Sequence, residues 1–383
     1  MDVGSLKDMR IGLGVTRLSL NIKARKLDGI AFYTENLIKE FIKLKSHVHL
    51  LRFGKKGANR IEKLKIQSLQ SFPFALFWDF ISPKQKKALK GAIDFFHSTD
   101  HLVPIYRDTP VIATVMDTFP ISHANLSKNF FLITWLKNWL WKKTTREAHH
   151  IITISEFSKN EIMRNMEIPG SKISVVPLGV DNIYFKRVPQ ASIQKILKKY
   201  QLPEYYFLFI GTIQPRKNIE FMLNAHDRVF HASNIPYPLI FIGNDTRKFK
   251  YLNHLIEQKQ KEGQVYWLQF LPDQEKRALL QHAQALLLPS IYEGFGLTIL
   301  EGFASRVPVI TSNIVSIAEV ANGAAILIDP YMEENLVSAM MKVVKDKVFR
   351  RSMIKKGEKR AREMTWKNTA LKTLAVYKKV LEK

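Results

Sequence analysis

The sequence contains no cysteine among its 383 residues. This absence excludes disulfide bonds and thiolate metal sites, and it fits a reducing compartment such as the cytoplasm. No tract is dominated by Gly, Ser, Pro or Gln, and 46% of the residues are hydrophobic, so extended disorder is not expected. The length suits two domains with cores of their own better than one.

Long hydrophobic runs are also missing. No segment reaches the roughly 18 uncharged apolar residues of a membrane span, and the best candidate, residues 130–141, is short and contains Lys137. The first ten residues carry two acids and no long apolar core, so they do not resemble a signal peptide. We expect a protein that is soluble or bound peripherally to a membrane.

Metal-binding and dinucleotide-binding patterns are absent as well. The sequence has no Asp-x-Asp, and no His or carboxylate cluster has the spacing of metal ligands. Gly12-Leu-Gly14 lacks the third glycine of a dinucleotide fingerprint, so we interpret it as part of a strand and not as an NAD site. We therefore expect no metal site and no resident cofactor.

Acidic residues are few relative to basic ones. Lys and Arg total 59 against 34 Asp and Glu, which gives a net charge of +25 and predicts attraction to nucleic acid, anionic lipid or a phosphorylated substrate. The basic residues are scattered without a recognition module, which argues against nucleic acid. The Trp- and Lys-rich residues 130–143 and the lysines of residues 82–90 favour an anionic membrane surface. Amphipathic helices with their apolar faces in the core are the alternative interpretation.

Short apolar runs alternate with helical patterns along the chain, which is typical of βαβ units and parallel sheets. Residues 179–204 interrupt this alternation, which resumes at an apolar strand predicted at residues 205–210. We predict two Rossmann-like doubly wound α/β domains facing a cleft, at residues 1–185 and 186–365, and a C-terminal helix, residues 366–383, that packs back on the first. Ligands of such sheets bind outside the carboxyl ends of the strands, so functional residues are expected in strand-to-helix loops.

The clearest chemical pattern lies at residues 293–301, Glu-Gly-Phe-Gly-Leu-Thr-Ile-Leu-Glu. The segment follows a predicted buried strand, and the glycines flanking Phe295 let the backbone approach a ligand while the amides of the next helix face an anion or a hydroxyl. Glu293 and Glu301 converge only if the first lies in the loop and the second in the early turns of the helix. Carboxylates are well suited to accept hydrogen bonds from sugar and ribose hydroxyls. Two solvated surface glutamates are the alternative.

This segment resembles the Glu-x7-Glu signature of family 4 retaining glycosyltransferases, which have the two-domain GT-B fold. The resemblance implies that Glu293 contacts the donor hexose and Glu301 the nucleotide ribose, while the amides of Phe295, Gly296 and Leu297 face the sugar and phosphates. Blocks similar to those of the family occur in order along nearly the whole chain, at residues 28–34, 152–159, 175–181, 209–218 and 309–312 with Glu319. The other donor-binding residues that the resemblance implies are Gly243, Phe270, Leu271, Gly294 and Thr298.

Two cations lie in residues 211–218, Gly-Thr-Ile-Gln-Pro-Arg-Lys-Asn, after another predicted strand. At the carboxyl end of that strand they are expected to neutralise a departing diphosphate. Lys217 matches the phosphate lysine of the family. Thr212 stands where the family often has Arg, so Arg216 is predicted to supply the second charge. Two surface cations in a turn are the alternative.

Gly29 is the predicted donor-binding residue of the first half. It opens the first long helix after a loop predicted at residues 19–27, and a small residue there would let the domain close over the diphosphate. An ordinary helix start, with Asp28 as N-cap, explains the same residues.

Asp117 follows a predicted strand in the block where many relatives carry His-Asp, with Met116 in place of the histidine. We predict that Asp117 orients or deprotonates the acceptor hydroxyl, and a capping role is the alternative. His97 and His101 lie one loop earlier and either border the acceptor or are structural.

The resemblance implies a retaining hexosyltransferase of cell-surface polysaccharide synthesis, and the absence of metal-ligand patterns predicts that it is metal-independent. Glu293 would lie by the outer hydroxyls of the hexose, so same-face displacement assisted by the leaving phosphate is expected instead of a covalent intermediate. Residues 211–218 are similar to those of bacterial mannosyltransferases, which favours GDP-mannose, while UDP- and dTDP-sugars stay open. A lipid-linked glycan acceptor at the inner face of the cytoplasmic membrane fits the basic charge. A nucleic-acid-binding protein and a non-catalytic sugar-nucleotide-binding subunit are the alternatives.

Overall fold

The structure is a computed structural model of the chain. It describes residues 9–23, 28–54, 56–69, 89, 91–106, 108–118, 131–232, 236–244 and 249–382, with the backbone alone at residues 131–137. The chain forms two compact units. Unit 1 comprises Met1–Leu178 and Trp366–Lys383, and unit 2 comprises Gly179–Thr365.

The described strands of unit 1 are β1 Arg10–Gly14, β2 His47–Phe53, β3 Arg60–Ile61, β4 Leu64–Leu69, β5 Phe95–Ser98, β6 Val111–Thr114, β7 His150–Thr153 and β8 Ile173–Val175. Those of unit 2 are β9 Phe207–Ile210, β10 Leu239–Ile242, β11 Val265–Leu268, β12 Leu286–Leu288, β13 Val309–Ser312 and β14 Ile326–Ile328.

The described helices are, in chain order, α1 Thr16–Lys23, α2 Gly29–Lys43, α3 Phe131–Glu147, α4 Glu156–Met166, α5 Gln190–Lys199, α6 Ile219–Ala232, α7 Lys250–Lys261, α8 Asp273–His282, α9 Leu297–Ala304, α10 Val315–Ala321, α11 Glu333–Lys345, α12 Lys347–Glu363 and α13 Trp366–Leu381. Short 3-10 turns occur at Gly170–Lys172, Asn182–Phe185 and Pro215–Lys217.

The sheet of unit 1 has the order β3-β4-β2-β1-β5-β6-β7-β8 in the described residues. Its neighbouring strands are parallel apart from the short hairpin β3–β4. Every residue of β5 is buried, as expected for a parallel strand covered on both faces. The order reverses between β1 and β5, which makes this a doubly wound sheet.

The helix α13 belongs to unit 1 and fills part of its core. The ring of Trp366 lies 5.9 Å from that of Phe32, and the ring of Tyr377 lies 4.4 Å from that of Phe95. Both ring nitrogens of His97 are bonded, one to the hydroxyl of Tyr377 at 2.6 Å and the other to Thr114 at 2.7 Å. His97 is fully buried, so it joins α13 to the sheet from inside.

The prediction of a loop at residues 19–27 is wrong for residues 19–23, because residues 16–23 form α1. Leu18 and Ser19 are buried, and the amide of Ser19 donates to the carbonyl of Val15 at 2.9 Å. Burial of Leu18 favours the helix over an exposed loop. Residues 24–27, and residues 82–90 apart from Leu89, lie outside the described residues.

The sheet of unit 2 is parallel and has the order β11-β10-β9-β12-β13-β14 in the described residues. Numbered along unit 2, this is 3-2-1-4-5-6, the strand order of dinucleotide-binding Rossmann folds. Helix α9 packs closely on the sheet, since a Cβ built on Gly302 would lie 2.8 Å from the side chain of Val309 and 2.9 Å from that of Leu286. The predicted fold class, two Rossmann-like doubly wound α/β sheets, is confirmed.

None of the helices in the part of the chain that the structure describes combines the length and apolar character needed to cross a bilayer.

Candidate functional site

The strand order of unit 2 reverses between β9 and β12, which lie side by side. β9 leads into residues 211–218, and β12 leads into residues 289–296. Ligands of open parallel sheets bind where the strand order reverses, outside the carboxyl ends of the strands. The two segments that carry the chemical patterns of the sequence therefore adjoin at the edge where a ligand is expected.

Three charged side chains from these two loops form one group. Oε2 of Glu293 accepts a hydrogen bond of 2.9 Å from Nη1 of Arg216, and Oε1 accepts a bond from Nζ of Lys217. The side chains of Lys217 and Glu293 are 12% and 13% exposed, so their ion pair is largely shielded from solvent. We call Arg216, Lys217 and Glu293 the switch-point cluster.

The switch-point cluster keeps Glu293 ionised. Burial by itself would raise the pKa of Glu293, but the charges of Lys217 and Arg216 outweigh burial and lower this pKa to about 2. Two cations and one carboxylate leave a net positive charge on the cluster at neutral pH. The cluster is therefore suited to an anionic ligand, while the carboxylate can also accept hydrogen bonds from hydroxyl groups.

Two serines that the sequence did not single out hold Glu293 in place. Oγ of Ser290 donates to Oε1 of Glu293 at 3.1 Å, and Oγ of Ser316, in the first turn of α10, donates to the backbone carbonyl of Glu293. The amide of Ile291 donates to the carbonyl of Arg216 at 2.9 Å, which ties the two loops together. A serine near a strand end has many ordinary roles, so its residue type alone gave no signal.

Gly294, Phe295 and Gly296 carry the chain from Glu293 into α9. Phe295 is buried and anchors the loop. Gly296 is the N-cap of α9 with φ 86° and ψ 53°, in the left-handed region that favours glycine. A Cβ on Gly296 would also lie 2.8 Å from Cδ1 of Ile299, so both the backbone and the available space require glycine.

Helix α9 begins at Leu297 and Thr298, four and five residues after Glu293. The first amides of a helix have no acceptor within the helix, and they carry a positive partial charge. They follow directly on the loop that holds the switch-point cluster. The start of α9 thus adds hydrogen-bond donors for an anion to the cations of the cluster.

Glu301 has partners of its own, on a different part of unit 2. Its Oε1 accepts a hydrogen bond of 2.9 Å from the hydroxyl of Tyr184. Burial raises the pKa of Glu301, and the positive charge of Lys276 and the bond from Tyr184 oppose that rise. Glu293 lies in the loop and Glu301 in α9, so the two acids of the segment sit in different electrostatic environments. The sequence did not single out Tyr184.

The other predicted donor residues of unit 2 differ in exposure. Thr212 is exposed, Leu271 is buried, and the side chain of Phe270 is 77% exposed. Gly243 follows β10, and a Cβ there would lie 2.3 Å from the backbone oxygen of Gly211. Glycine at this position is therefore explained by the close approach of two backbones.

Gly29 lies in unit 1 at the first position of α2. The carboxylate of Asp28 accepts from the amide of Ala31 at 2.9 Å and pairs with Arg17 at 2.6 Å, so Asp28 is the N-cap of α2. A Cβ on Gly29 would meet no atom of the described chain within 4 Å. Packing within these residues does not require glycine, and the role of Gly29 toward a ligand stays a prediction.

Asp117 also lies in unit 1, half-buried beyond the carboxyl end of β6, and Met116 beside it is half-buried too. The next residue, Thr118, is buried and accepts a bond of 2.8 Å from Asn165. The proposed role of Asp117 toward an acceptor stays a prediction.

The two histidines of the preceding loop have different surroundings. Burial lowers the pKa of His97 to about 3, and both of its nitrogens are bonded inside the core, so His97 is structural. His101 is exposed, with its ring 4.4 Å from that of Trp141.

Histidine and acidic side chains of the described residues form no group of three or more that could hold a metal ion. Metal independence stays a prediction.

Comparison with solved structures identifies the fold. Sucrose-phosphate synthase from Thermosynechococcus elongatus matches with a TM-score of 0.74 at 17% identity, over 98% of this chain and 99% of that chain. WaaG, a glycosyltransferase involved in lipopolysaccharide biosynthesis, matches with a TM-score of 0.69 at 14% identity, over 96% and 99%. Anabaena HepE in complex with UDP and glucose gives 0.72 at 14% identity, over 97% and 99%. The chain has the GT-B fold of these proteins.

Sequence comparison then identifies the family. The model described as Glycosyltransferase Family 4 matches residues 27–182, and that described as Glycosyl transferases group 1 matches residues 192–360. The chain belongs to glycosyltransferase family 4.

Curated relatives include two O-antigen mannosyltransferases. O-antigen chain mannosyltransferase B from Escherichia coli is 34% identical over 232 residues, which are 60% of this chain and 61% of that protein. O-antigen chain mannosyltransferase RfbU from Salmonella typhimurium is 29% identical over 248 residues, 64% of each chain. The chain thus matches less than two thirds of the length of these relatives.

Proposed function

We propose that the chain is a retaining glycosyltransferase that moves mannose from GDP-mannose to a glycan acceptor in lipopolysaccharide or related cell-surface polysaccharide synthesis. The observation that carries the proposal is the switch-point cluster of unit 2, in a member of glycosyltransferase family 4. Unit 2 is proposed to bind the nucleotide sugar, and unit 1 the acceptor.

In the proposed donor site, different residues of unit 2 bind the diphosphate, the hexose and the ribose of the nucleotide sugar. The net positive charge of the switch-point cluster and the first amides of α9 attract the diphosphate. Glu293, ionised and held by Ser290, accepts hydrogen bonds from hexose hydroxyls. Glu301, which accepts a hydrogen bond from Tyr184 on a different part of unit 2, accepts them from the ribose.

In the proposed reaction, the bond between the anomeric carbon and the diphosphate breaks, and negative charge grows on the leaving oxygen. Lys217 and Arg216 stabilise that charge, which is where preorganised cations lower a barrier most. The acceptor hydroxyl attacks from the face that the diphosphate leaves, so the anomeric configuration is retained. Asp117 is proposed either to take the proton of that hydroxyl or to orient the hydroxyl while its proton passes to the leaving diphosphate.

The choice of mannose rests on the relatives. Two of them are named O-antigen mannosyltransferases, and a third curated relative from Escherichia coli, 26% identical over 228 residues, is named serotype-specific mannosyltransferase WbdA. HepE, with a similar fold, was solved with UDP and glucose, which keeps a UDP-sugar as the second candidate donor. A dTDP-sugar is the third.

The acceptor is proposed to be a lipid-linked glycan, used at the inner face of the cytoplasmic membrane. The net charge of +25 supports attraction to an anionic surface. On α3, Trp139 is 43% exposed, and Nζ of Lys143 lies 5.3 Å from the centroid of its ring. An aromatic ring and a cation together on an exposed face suit a membrane interface.

The test is a donor screen with purified protein. GDP-mannose, UDP-glucose and a dTDP-hexose are each incubated with the protein, with and without EDTA, and release of nucleoside diphosphate is measured. We expect turnover of GDP-mannose that EDTA does not abolish. Lys217→Ala should lower kcat by about 10²–10³-fold, because it removes a preorganised charge. Lys259→Ala is the matched control, since Lys259 is also a shielded cation of unit 2 but pairs with Asp227, at 2.6 Å.

Each other outcome of this screen decides against a specific part of the proposal. Turnover of UDP-glucose or the dTDP-hexose without turnover of GDP-mannose would show that GDP-mannose is not the donor. Donor binding seen by thermal shift without any turnover would favour a non-catalytic sugar-nucleotide-binding subunit. Equal loss of activity in both lysine variants would show that Lys217 has no special role.

A further inference from the structure

Tyr184 holds Glu301 from a turn that precedes the first helix of unit 2. The turn Asn182–Phe185 is capped by Asp181, whose side chain accepts from the amide of Ile183 at 3.0 Å. Tyr184 points inward, is only 7% exposed, and donates its hydroxyl proton to Oε1 of Glu301 at 2.9 Å. The bond joins residues 117 positions apart in sequence.

Helix α8 fixes this turn from the other side. Nη1 of Arg277 donates to the carbonyl of Ile183 at 2.7 Å. Nε2 of Gln281 donates to the carbonyls of Tyr184 at 3.3 Å and Lys186 at 2.8 Å, and its Oε1 accepts from the amide of Val188 at 2.9 Å. The backbone on both sides of Tyr184 is therefore tied to one helix, which fixes where its hydroxyl lies.

A half-buried carboxylate that must accept bonds from two neighbouring ligand hydroxyls, as proposed for Glu301, needs a fixed orientation. The hydroxyl of Tyr184 can only donate to an ionised carboxylate, so it fixes the orientation of the Glu301 carboxylate through one of its two oxygens. The positive charge of Lys276, on α8, also acts on this carboxylate and lowers its pKa, but the hydrogen bond from Tyr184 is the directional contact. Without that bond, the Glu301 carboxylate would lose the contact that fixes its orientation.

We propose that Tyr184 is a positioning residue that orients Glu301 for recognition of the donor ribose, and so sets the preference of the enzyme for ribonucleotide over deoxyribonucleotide donors. The inference rests on the proposed function, because it takes Glu301 as the ribose-binding acid. A purely structural tyrosine would stabilise unit 2 and have no effect on the choice between ribose and deoxyribose.

The test compares Tyr184→Phe with the wild type in calorimetric titrations with GDP, 2′-deoxy-GDP and 3′-deoxy-GDP, and with the three corresponding uridine nucleotides. We expect the wild type to bind the ribonucleotide at least about tenfold more tightly than a deoxy analogue, because the carboxylate of Glu301, shielded from solvent by the bound nucleotide, loses its partner in the analogue. In Tyr184→Phe this ratio should fall to within about twofold, with affinity for the deoxy analogues nearly unchanged.

Tyr206→Phe is the matched control. Tyr206 is also a buried tyrosine of unit 2, and its hydroxyl donates to the carbonyl of Leu279 in α8, 2.8 Å away. The control variant thus removes a buried tyrosine hydroxyl whose hydrogen bond is to the backbone of α8 instead of to Glu301. Tyr206→Phe should lower the melting temperature and leave the ribose-to-deoxyribose ratio at the wild-type value.

The outcomes separate this inference from the function on which it rests. If the wild type binds none of the nucleotides, or binds ribo and deoxy forms equally, the proposed donor site itself is wrong. If the wild type discriminates and Tyr184→Phe keeps the wild-type ratio, the role of Tyr184 is refuted. If Tyr184→Phe does not fold, Gln281→Ala loosens the same turn and should lower the ratio, and an unchanged ratio there would overturn the inference.

Discussion

Glu293 is a largely shielded acid that pairs with two cations, Arg216 and Lys217, and this makes its ionisation part of the stability of unit 2. Its carboxylate bonds Arg216, Lys217 and the hydroxyl of Ser290. Removing one member of such a group leaves the others buried and unbalanced, which costs more than the intact group contributes.

The stability of unit 2 should therefore depend on pH through Glu293. Its pKa is about 2 in the folded chain against an ordinary value of 4.5. Because the folded pKa is the lower one, the contribution is fully present above pH 4.5 and is lost as the pH falls from 4.5 toward 2. The pKa difference of 4.5 − 2 = 2.5 corresponds to roughly 3–4 kcal/mol, at about 1.4 kcal/mol per pKa unit.

In Glu293→Gln we expect lower stability at neutral pH and a flatter dependence between pH 4.5 and 2, measured as urea midpoints by circular dichroism. Glu358→Gln is the control, because the pKa of Glu358 is also lowered to about 2, by hydrogen bonds from Arg306 and Arg362 outside the switch-point cluster. Both variants should lose acid-dependent stability, and only Glu293→Gln should lose donor binding. Wild-type pH dependence in Glu293→Gln would contradict this assignment.

At the scale of single helices, we expect substitution by alanine to have opposite effects on stability at two glycines that lie at helix starts. At Gly29, which begins α2, a Cβ would meet no atom of the described residues within 4 Å, whereas Gly296 caps α9 in the left-handed region against Ile299. Gly29→Ala should keep or raise stability by up to about 1 kcal/mol, and Gly296→Ala should lower it by about 1–3 kcal/mol. Thermal melting measures both effects.

Activity then tests the role of Gly29. If the donor diphosphate approaches the start of α2, Gly29→Ala should raise the KM for the donor while melting like the wild type. An unchanged KM in this variant would contradict a donor-binding role for Gly29. Gly29 would then only be part of an ordinary helix start capped by Asp28.

Much of the order of helices and strands could be predicted from sequence because both sheets are parallel and buried. Strands covered on both faces are short apolar runs, and β9 and β12 are examples. Helix α1 could not be predicted, since it is only eight residues long, begins two residues after β1, and the burial of Leu18 becomes visible only in the folded chain.

To predict which residues of the candidate site contact one another, the order of the strands in the sheet is needed as well. Lys217 and Glu293 are 76 positions apart, and they meet only because β9 lies beside β12. Hydrophobic periodicity identifies strands and does not give their order in a sheet. Tyr184 has no motif of its own, so its bond to Glu301 became visible only in the folded chain.

At the scale of the whole molecule, the excess of basic residues predicts binding to anionic membranes. The protein should sediment with vesicles that contain phosphatidylglycerol at low salt. It should be released at about 1 M salt, where the Debye length is about 3 Å. Vesicles of phosphatidylcholine alone should not retain it, and failure to bind anionic vesicles at low salt would contradict a peripheral location.

A pair of charge reversals tests whether α3 contributes to that binding. Lys143→Glu and Lys355→Glu change the net charge equally, and both lysines are exposed, one on α3 of unit 1 and the other on α12 of unit 2. Lys143→Glu should weaken vesicle binding more than Lys355→Glu. Equal weakening would indicate attraction by net charge without a specific face.

Unit 1 is built from two stretches of sequence separated by the whole of unit 2. Its core receives Trp366 and Tyr377 from α13, and the bond between His97 and Tyr377 spans 280 positions. During synthesis, the strands of unit 1 therefore leave the ribosome long before the residues that complete their core. Unit 2, by contrast, is one continuous stretch and can fold as soon as residue 365 has emerged. A stop codon or a proteolytic cut just after Thr365 would consequently damage the unit that was made first and leave the residues of the switch-point cluster untouched.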